Sequence, residues 1–177
     1  ELQANLEADE RLDPWLHSQG LDRLPRLFRR LHVEPGWETA FEAVLRERLE
    51  AIEVGRLEAV GSFEAAAPPS RIAFFSAEAG AAPTAAPAPW PALSSKLSDG
   101  DAGLAAVLAD WLAGVFLAPD LATALRERQR LPLGGQFVVA AGHRVCRTGV
   151  RFHAADDRKA GLLVRRTQIE NLERQLK

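Results

Sequence analysis

The stretch Gly134–His153, GGQFVVAAGHRVCRTGVRFH, limits what this chain can fold into more than any other. A glycine pair, Gly134-Gly135, leads into the apolar run Phe137-Val138-Val139. Ala141-Gly142-His143 turns the chain into the alternating run Arg144-Val145-Cys146-Arg147, and Thr148-Gly149 turns it again into Val150-Arg151-Phe152. Short β-branched and aromatic runs punctuated by glycine predict a small antiparallel meander. A glycine at each bend permits positive φ and close backbone approach. So small a sheet is not stable alone. It requires a helix on one face and something along its edge, such as a second copy of itself.

The segments before it supply the helices. Gly114-Val115-Phe116-Leu117 reads as a buried strand and Pro119 as the start of a helix carrying Leu121, Ala124, Leu125 and Arg128, a βα unit leading into the meander. Ser98-Asp99-Gly100-Asp101 has capping-box spacing ahead of a helix with Leu104, Val107, Leu108, Trp111 and Leu112. Glu34-Pro35-Gly36-Trp37 opens the clearest helix. Its apolar face carries Trp37, Ala40, Phe41, Val44, Leu45 and Leu49, and its polar face Glu38, Glu42, Arg46 and Glu50. Residues 21–31 suggest a short amphipathic segment, and 51–54 and 71–75 two strands. The Ala/Pro-rich residues 78–92 bury little and read as a mobile surface insertion.

Both ends are helical. Leu2, Leu6, Leu12 and Leu16 form one stripe, with a kink or restart at Asp13-Pro14 and a stop at Gly20. From Asp157 onward Leu162, Ile169 and Leu176 fall seven apart and Leu172 fills the position between, a heptad seam. Neither stripe has an evident partner in the middle of the chain, so the two end helices are expected to pair antiparallel. The predicted class is α+β: a two-lobed globe of small sheets packed on helices, flanked by an antiparallel coiled-coil stub. Its parts are an incoming coil at 1–20, a first lobe at 21–113, a second lobe at 114–156 and an outgoing coil at 157–177.

Several chemistries are excluded or disfavoured. Cys146 is the single cysteine of 177 residues, so no internal disulfide and no cysteine-based zinc site forms, and a reducing cytoplasm fits. As a strand residue without a base it reads as a small buried apolar side chain. No apolar run reaches the roughly 18 residues of a membrane span. A phosphate-binding Gly-x4-Gly-Lys loop is absent, since none of Lys96, Lys159 and Lys177 follows a glycine. His17, His32, His143 and His153 share no metal-ligand spacing. No cofactor is expected, and no catalytic residue. The chain begins at Glu1 and holds no Met, which suggests a piece of something longer.

Net charge is −2, unevenly spread. Residues 1–60 hold 8 basic and 13 acidic side chains, and residues 142–177 hold 9 and 4. Arg151, Arg158, Lys159, Arg165 and Arg166 cluster where the globe meets the outgoing coil, a candidate sequence-independent phosphate-binding face.

With these residues in hand, the chain resembles the hinge domain of SMC (structural maintenance of chromosomes) proteins, most like the proteobacterial chromosome-segregation type. Three stretches carry the likeness: Pro35-Gly36-Trp37-Glu38-Thr39-Ala40-Phe41-Glu42-Ala43-Val44-Leu45; Leu112-Ala113-Gly114-Val115-Phe116-Leu117-Ala118 with its following helix; and the meander running into Gln168-Ile169-Glu170-Asn171-Leu172-Glu173. The family often carries Gly-x6-Gly-x3-Gly-Gly at its dimer contact. Gly142 and Gly149 keep the first spacing, whereas His153-Ala154 stands where the glycine pair would be.

The resemblance implies a ring-like homodimer in which the first lobe of one subunit meets the second lobe of its mate. It also implies long arms ending in ATPase heads, a kleisin subunit bridging those heads, DNA as the embraced partner and a cytoplasmic, nucleoid-associated location. No membrane is involved, and this segment is not itself an enzyme. The expected dimer contact comprises Gly134, Gly135, Gly142, Val145, Gly149, Val150 and Phe152, and the DNA contacts are the basic set above. The rival reading is a coil-borne adaptor that binds a peptide or protein by strand addition.

Overall fold

The computed structural model describes residues 2–77, 87–98, 102–154 and 161–175, with residues 2–9 as backbone only. It divides into two compact units. One comprises residues 1–30 and 47–79, the other 31–46 and 80–177.

In the first unit helix α1 spans Leu2–Ser18. It runs through Pro14 without a restart. Gly20, at φ 69°, ends it, with the Leu21 amide returning 2.8 Å to the Leu16 carbonyl. Leu12, Leu16 and Leu21 pack with Ile52, Phe63 and Phe74, so the lower part of the α1 stripe has a partner in its own unit. Trp15 sets its ring edge on Phe63 at 5.2 Å and donates its indole N–H to the Ala66 carbonyl. Residues 21–31 bury Leu21, Leu27 and Leu31 and form only one short helical turn, Leu27–Arg29. The Leu27 amide bonds the Ala51 carbonyl and Arg26 bridges Ile52, which lays this segment along strand β1, Ile52–Glu53. Its neighbour on the other side is the parallel strand β2, Phe74–Phe75, in register Ile52↔Phe74. Arg30 and Glu53 form an ion pair.

The second unit is built on a four-stranded sheet in the order β3 (Val115–Leu117), β4 (Gln136–Val138), β5 (Arg144–Cys146), β6 (Val150–Arg151). β3 and β4 are parallel, joined through helix α4, Leu121–Glu127; β4, β5 and β6 are antiparallel, the meander expected from the glycine spacing. Asp120, rather than Pro119, caps α4, its carboxylate accepting the Thr123 amide at 2.6 Å. Phe116, Phe137, Val139 and Val145 form the core on the α4 side. Helix α2 is Glu38–Leu45, helix α3 Ala102–Trp111 and helix α5 Leu162–Gln175.

Two expectations change here. The end of the Ala/Pro stretch is anchored: Trp90 lies 5.5 Å from Phe116 and 4.9 Å from Phe137, with Arg130 over its ring. Pro91 then accepts the Leu117 amide at 2.8 Å and Ala92 bridges Phe116, so this strap covers the outer edge of β3. Residues 78–86 lie outside the described residues. Residues 31–46, 87–98 and 102–113 also part from the expected first lobe of 21–113 and belong with the sheet unit, where α2 packs on α5. Glu38 and Glu42, expected on a polar face, are both buried there.

Candidate functional site

The strap closes one side of the sheet, which leaves β6 as its outer strand on the other. An outer strand presents a row of unpaired backbone donors and acceptors, and native proteins cover, block or use it. Val150 is 42% exposed and Phe152, next along the chain from β6, is 67% exposed. Phe152 stands edge-on to the His143 ring at 5.0 Å, and His143 Nδ1 accepts the His153 amide at 3.0 Å, which fixes the rim where β6 ends.

The expected dimer residues separate into two groups. Gly149, Val150 and Phe152 lie together along this rim. Gly134 and Gly135 lie in the loop entering β4, at the end of the sheet that also carries the Gly149 turn. Val145 does not reach the rim: at 0% exposure its side chain fills the core against Phe137, as alternation inward from β5 requires. Gly142 is likewise used internally, since a Cβ there would meet His153 and Ala43 at 3.0–3.1 Å.

Cys146 is exposed, opposite to the expectation of burial, because its neighbour Val145 takes the inward position. Hydrogen bonding from the Thr148 backbone, then from its side chain, pulls the thiol below its usual pKa. Among the described residues no group of three His, Cys, Asp or Glu is placed to hold a metal ion. No described helix is long and apolar enough to cross a membrane.

The basic set also divides. Arg158 and Lys159 lie outside the described residues. Arg165 is exposed at the start of α5. Arg166 is largely committed within its own unit, its side chain 16% exposed. It donates to the Leu31 carbonyl at 2.6 Å, approaches His32 Nε2 at 3.1 Å and pairs with Glu170 at 2.7 Å. Arg151 is exposed on β6 and faces Arg144 directly across the ladder. Arg144 escaped notice in the sequence, although its place in the alternating run one step before Val145 sets it on the face opposite the core.

α5 is rooted in the sheet unit. The buried Glu42 carboxylate accepts the Gly161 and Leu163 amides, each at 2.9 Å, capping the helix, and Leu163 is buried. Of the expected seam, Leu162 is half-buried, whereas Ile169 and Leu172 are 57% and 59% exposed. Leu176 and the side chains of Leu2 and Leu6 lie outside what is described.

Comparison with known proteins agrees with this arrangement. The family model of the SMC proteins Flexible Hinge Domain matches residues 22–128. The chain is 51% identical over 177 residues to the chromosome partition protein Smc of Burkholderia pseudomallei, covering 100% of this chain and 15% of that protein. To the same-named protein of Bordetella petrii it is 47% identical over 176 residues, covering 99% and 15%. The chain thus spans 15% of the length of each of these relatives. Among solved structures, the asymmetric dimer of the Geobacillus stearothermophilus SMC hinge domain shares the fold at TM-score 0.65 and 21% identity, over 98% of this chain and 82% of that one. The Pyrococcus furiosus Smc hinge domain with an extended coiled coil gives TM-score 0.58 at 14% identity, over 98% and 70%. A small mixed-sheet unit with an open meander rim, a helix rooted beside it and a match over most of the chain have one account: the chain belongs to the SMC hinge family.

Proposed function

We propose that this chain is a homodimerisation module joining two coiled-coil arms of a chromosome-partition SMC protein, with weak sequence-independent DNA binding as a secondary property. The observation that carries the reading is the open β6 edge with Val150 and Phe152 exposed beside it, while the opposite edge of the same sheet is covered by the chain itself. A second copy completes such an edge with no additional component. The exposed Ile169 and Leu172 on α5 suit the seam of an arm helix. In this reading the ATPase heads and the kleisin that bridges them belong to the rest of the protein. DNA contacts fall to Arg165 with Arg158 and Lys159.

Sedimentation equilibrium tests the dimer. The chain should sediment as a dimer, and Phe152→Asp or Gly149→Glu as a monomer. A Cβ at Gly149 meets only Cys146 Sγ, at an ordinary 3.6 Å, so Gly149→Glu is compatible with the fold. Dimers that survive both changes would place the contact elsewhere. A monomeric chain that captures a specific peptide along β6 would favour the adaptor reading. For DNA, gel shifts at low salt should weaken with Arg165→Glu, and absence of any shift by the parent chain removes that part.

A further inference from the structure

Arg144 and Arg151 are direct partners across the β5–β6 ladder, and like charges so placed oppose each other. Among the described residues neither makes an ion pair or a side-chain hydrogen bond. Partial burial lowers the Arg144 pKa, and the nearby guanidiniums of Arg151 and Arg46 lower it further. Arg46 closes the C-terminal end of α2 at φ 51° and ψ −124°, a backbone conformation unfavourable for any residue with a Cβ. A row of two cations, Arg144 and Arg151, therefore runs across β5 to the open rim. It is half of an ionic contact.

The missing half is an anion, and the position of the row chooses its source. Arg151 shares its two-residue strand with Val150, and Phe152 follows directly. Whatever pairs along this rim covers Arg151 as well, and a strand added to β6 would set its own side chains next in line on the same face. A residue beneath that contact is withdrawn from a free polyanion. The two compact units also differ in sign. Residues 1–30 and 47–79 carry 8 basic and 12 acidic side chains, whereas 31–46 and 80–177 carry 14 and 12.

We infer that Arg144 and Arg151 form the electrostatic part of the rim and take carboxylates from the acidic unit of a second copy of this chain. The inference rests on the dimer reading above and deepens it: backbone pairing and Phe152 supply adhesion, and the cation row supplies orientation and encounter rate. It moves Arg151 out of the DNA-contacting set.

The test is subunit association of the 177-residue chain, followed by energy transfer between two differently labelled pools at low and at high salt. The parent should associate more slowly as salt rises. Arg144→Gln with Arg151→Gln should associate about tenfold more slowly at low salt and lose most of that salt dependence. The circular dichroism of this pair should stay that of the parent. If the double change unfolds the sheet, Arg151→Gln alone, at an exposed position, carries the same expectation in weaker form. A variant that associates at the parental rate with the parental salt slope overturns the inference and leaves the dimer standing. So does one that dimerises normally but loses retention on DNA, which would assign the row to nucleic acid. A parent chain that never associates removes the dimer reading, and this inference with it.

Discussion

Glu42 of α2 places its carboxylate over the first turn of α5, each oxygen 2.9 Å from one amide, those of Gly161 and Leu163. The contact joins residues 121 positions apart. It matches a negative charge to the electropositive end of a helix. Arg166, a turn further along, ties the same helix to the Leu31 carbonyl. Together they fix the helix at its root rather than leaving it as a swivelling tail.

Replacing Glu42 by Ala should therefore cost about 2 kcal/mol, since the buried Leu163 amide and the part-buried Gly161 amide lose a charged acceptor. Denaturant melts measure the loss. Hydrogen exchange should also quicken at Leu163 relative to the amides of β4; unchanged exchange there would show that the cap does not hold the helix.

Gly142 sits at φ 85°, with His153 and Ala43 occupying the space a Cβ would need. Gly142→Ala should destabilise the meander by more than about 1 kcal/mol, from strain and overlap together. Gly134, also at positive φ but with nothing within 4 Å, should suffer only the conformational part. Paired thermal melts of the two variants should rank in that order, and equal losses would contradict the packing at Gly142.

Cys146 offers a reactivity prediction. Its exposed thiol is held below its usual pKa by hydrogen bonding from Thr148, so the thiolate fraction at neutral pH exceeds that of an unperturbed cysteine. Alkylation by iodoacetamide followed against pH should show a midpoint shifted to lower pH, and Thr148→Val should move it back part of the way. A midpoint at the ordinary cysteine value would refute the assigned cause.

Asp120 gives a pH signature. Its carboxyl is held below the normal value chiefly by the Thr123 amide, then by the Thr123 hydroxyl. A group whose folded pKa is depressed stabilises above its unfolded pKa and loses that contribution as pH falls through the folded value. Asp120→Ala should thus be less stable than the parent at neutral pH, the gap narrowing in acid. A gap constant from pH 7 down to pH 2 would mean that the cap contributes no ionic part.

What was legible in the sequence followed from short-range rules. Alternation and glycine spacing gave the meander, its order and the exposed rim of Val150 and Phe152, while βα punctuation gave β3, α4 and β4. The same period of two already assigns Cys146 outward once Val145 is taken as core; the expectation of a buried thiol came from residue type alone. Glu42 was not recoverable in this way. A helical wheel sees the polar face of α2 but not that α5 begins against it, and only the fold brings residue 42 to residue 163. Trp90 lay in a field of Ala and Pro whose composition argued against packing. A single large aromatic among prolines was the one local sign that the end of that stretch is held. Within the basic set, charge counting cannot tell the largely buried side chain of Arg166, bonded to the Leu31 carbonyl, from the exposed Arg165 one residue before it.

The strap formed by Trp90, Pro91 and Ala92 bears on stoichiometry. A sheet able to accept strands on both margins would link copy to copy without end. Here one margin is occupied, and Pro89 and Pro91 carry no amide hydrogen for a further strand to grip. Strand addition to this sheet is thereby confined to its β6 side.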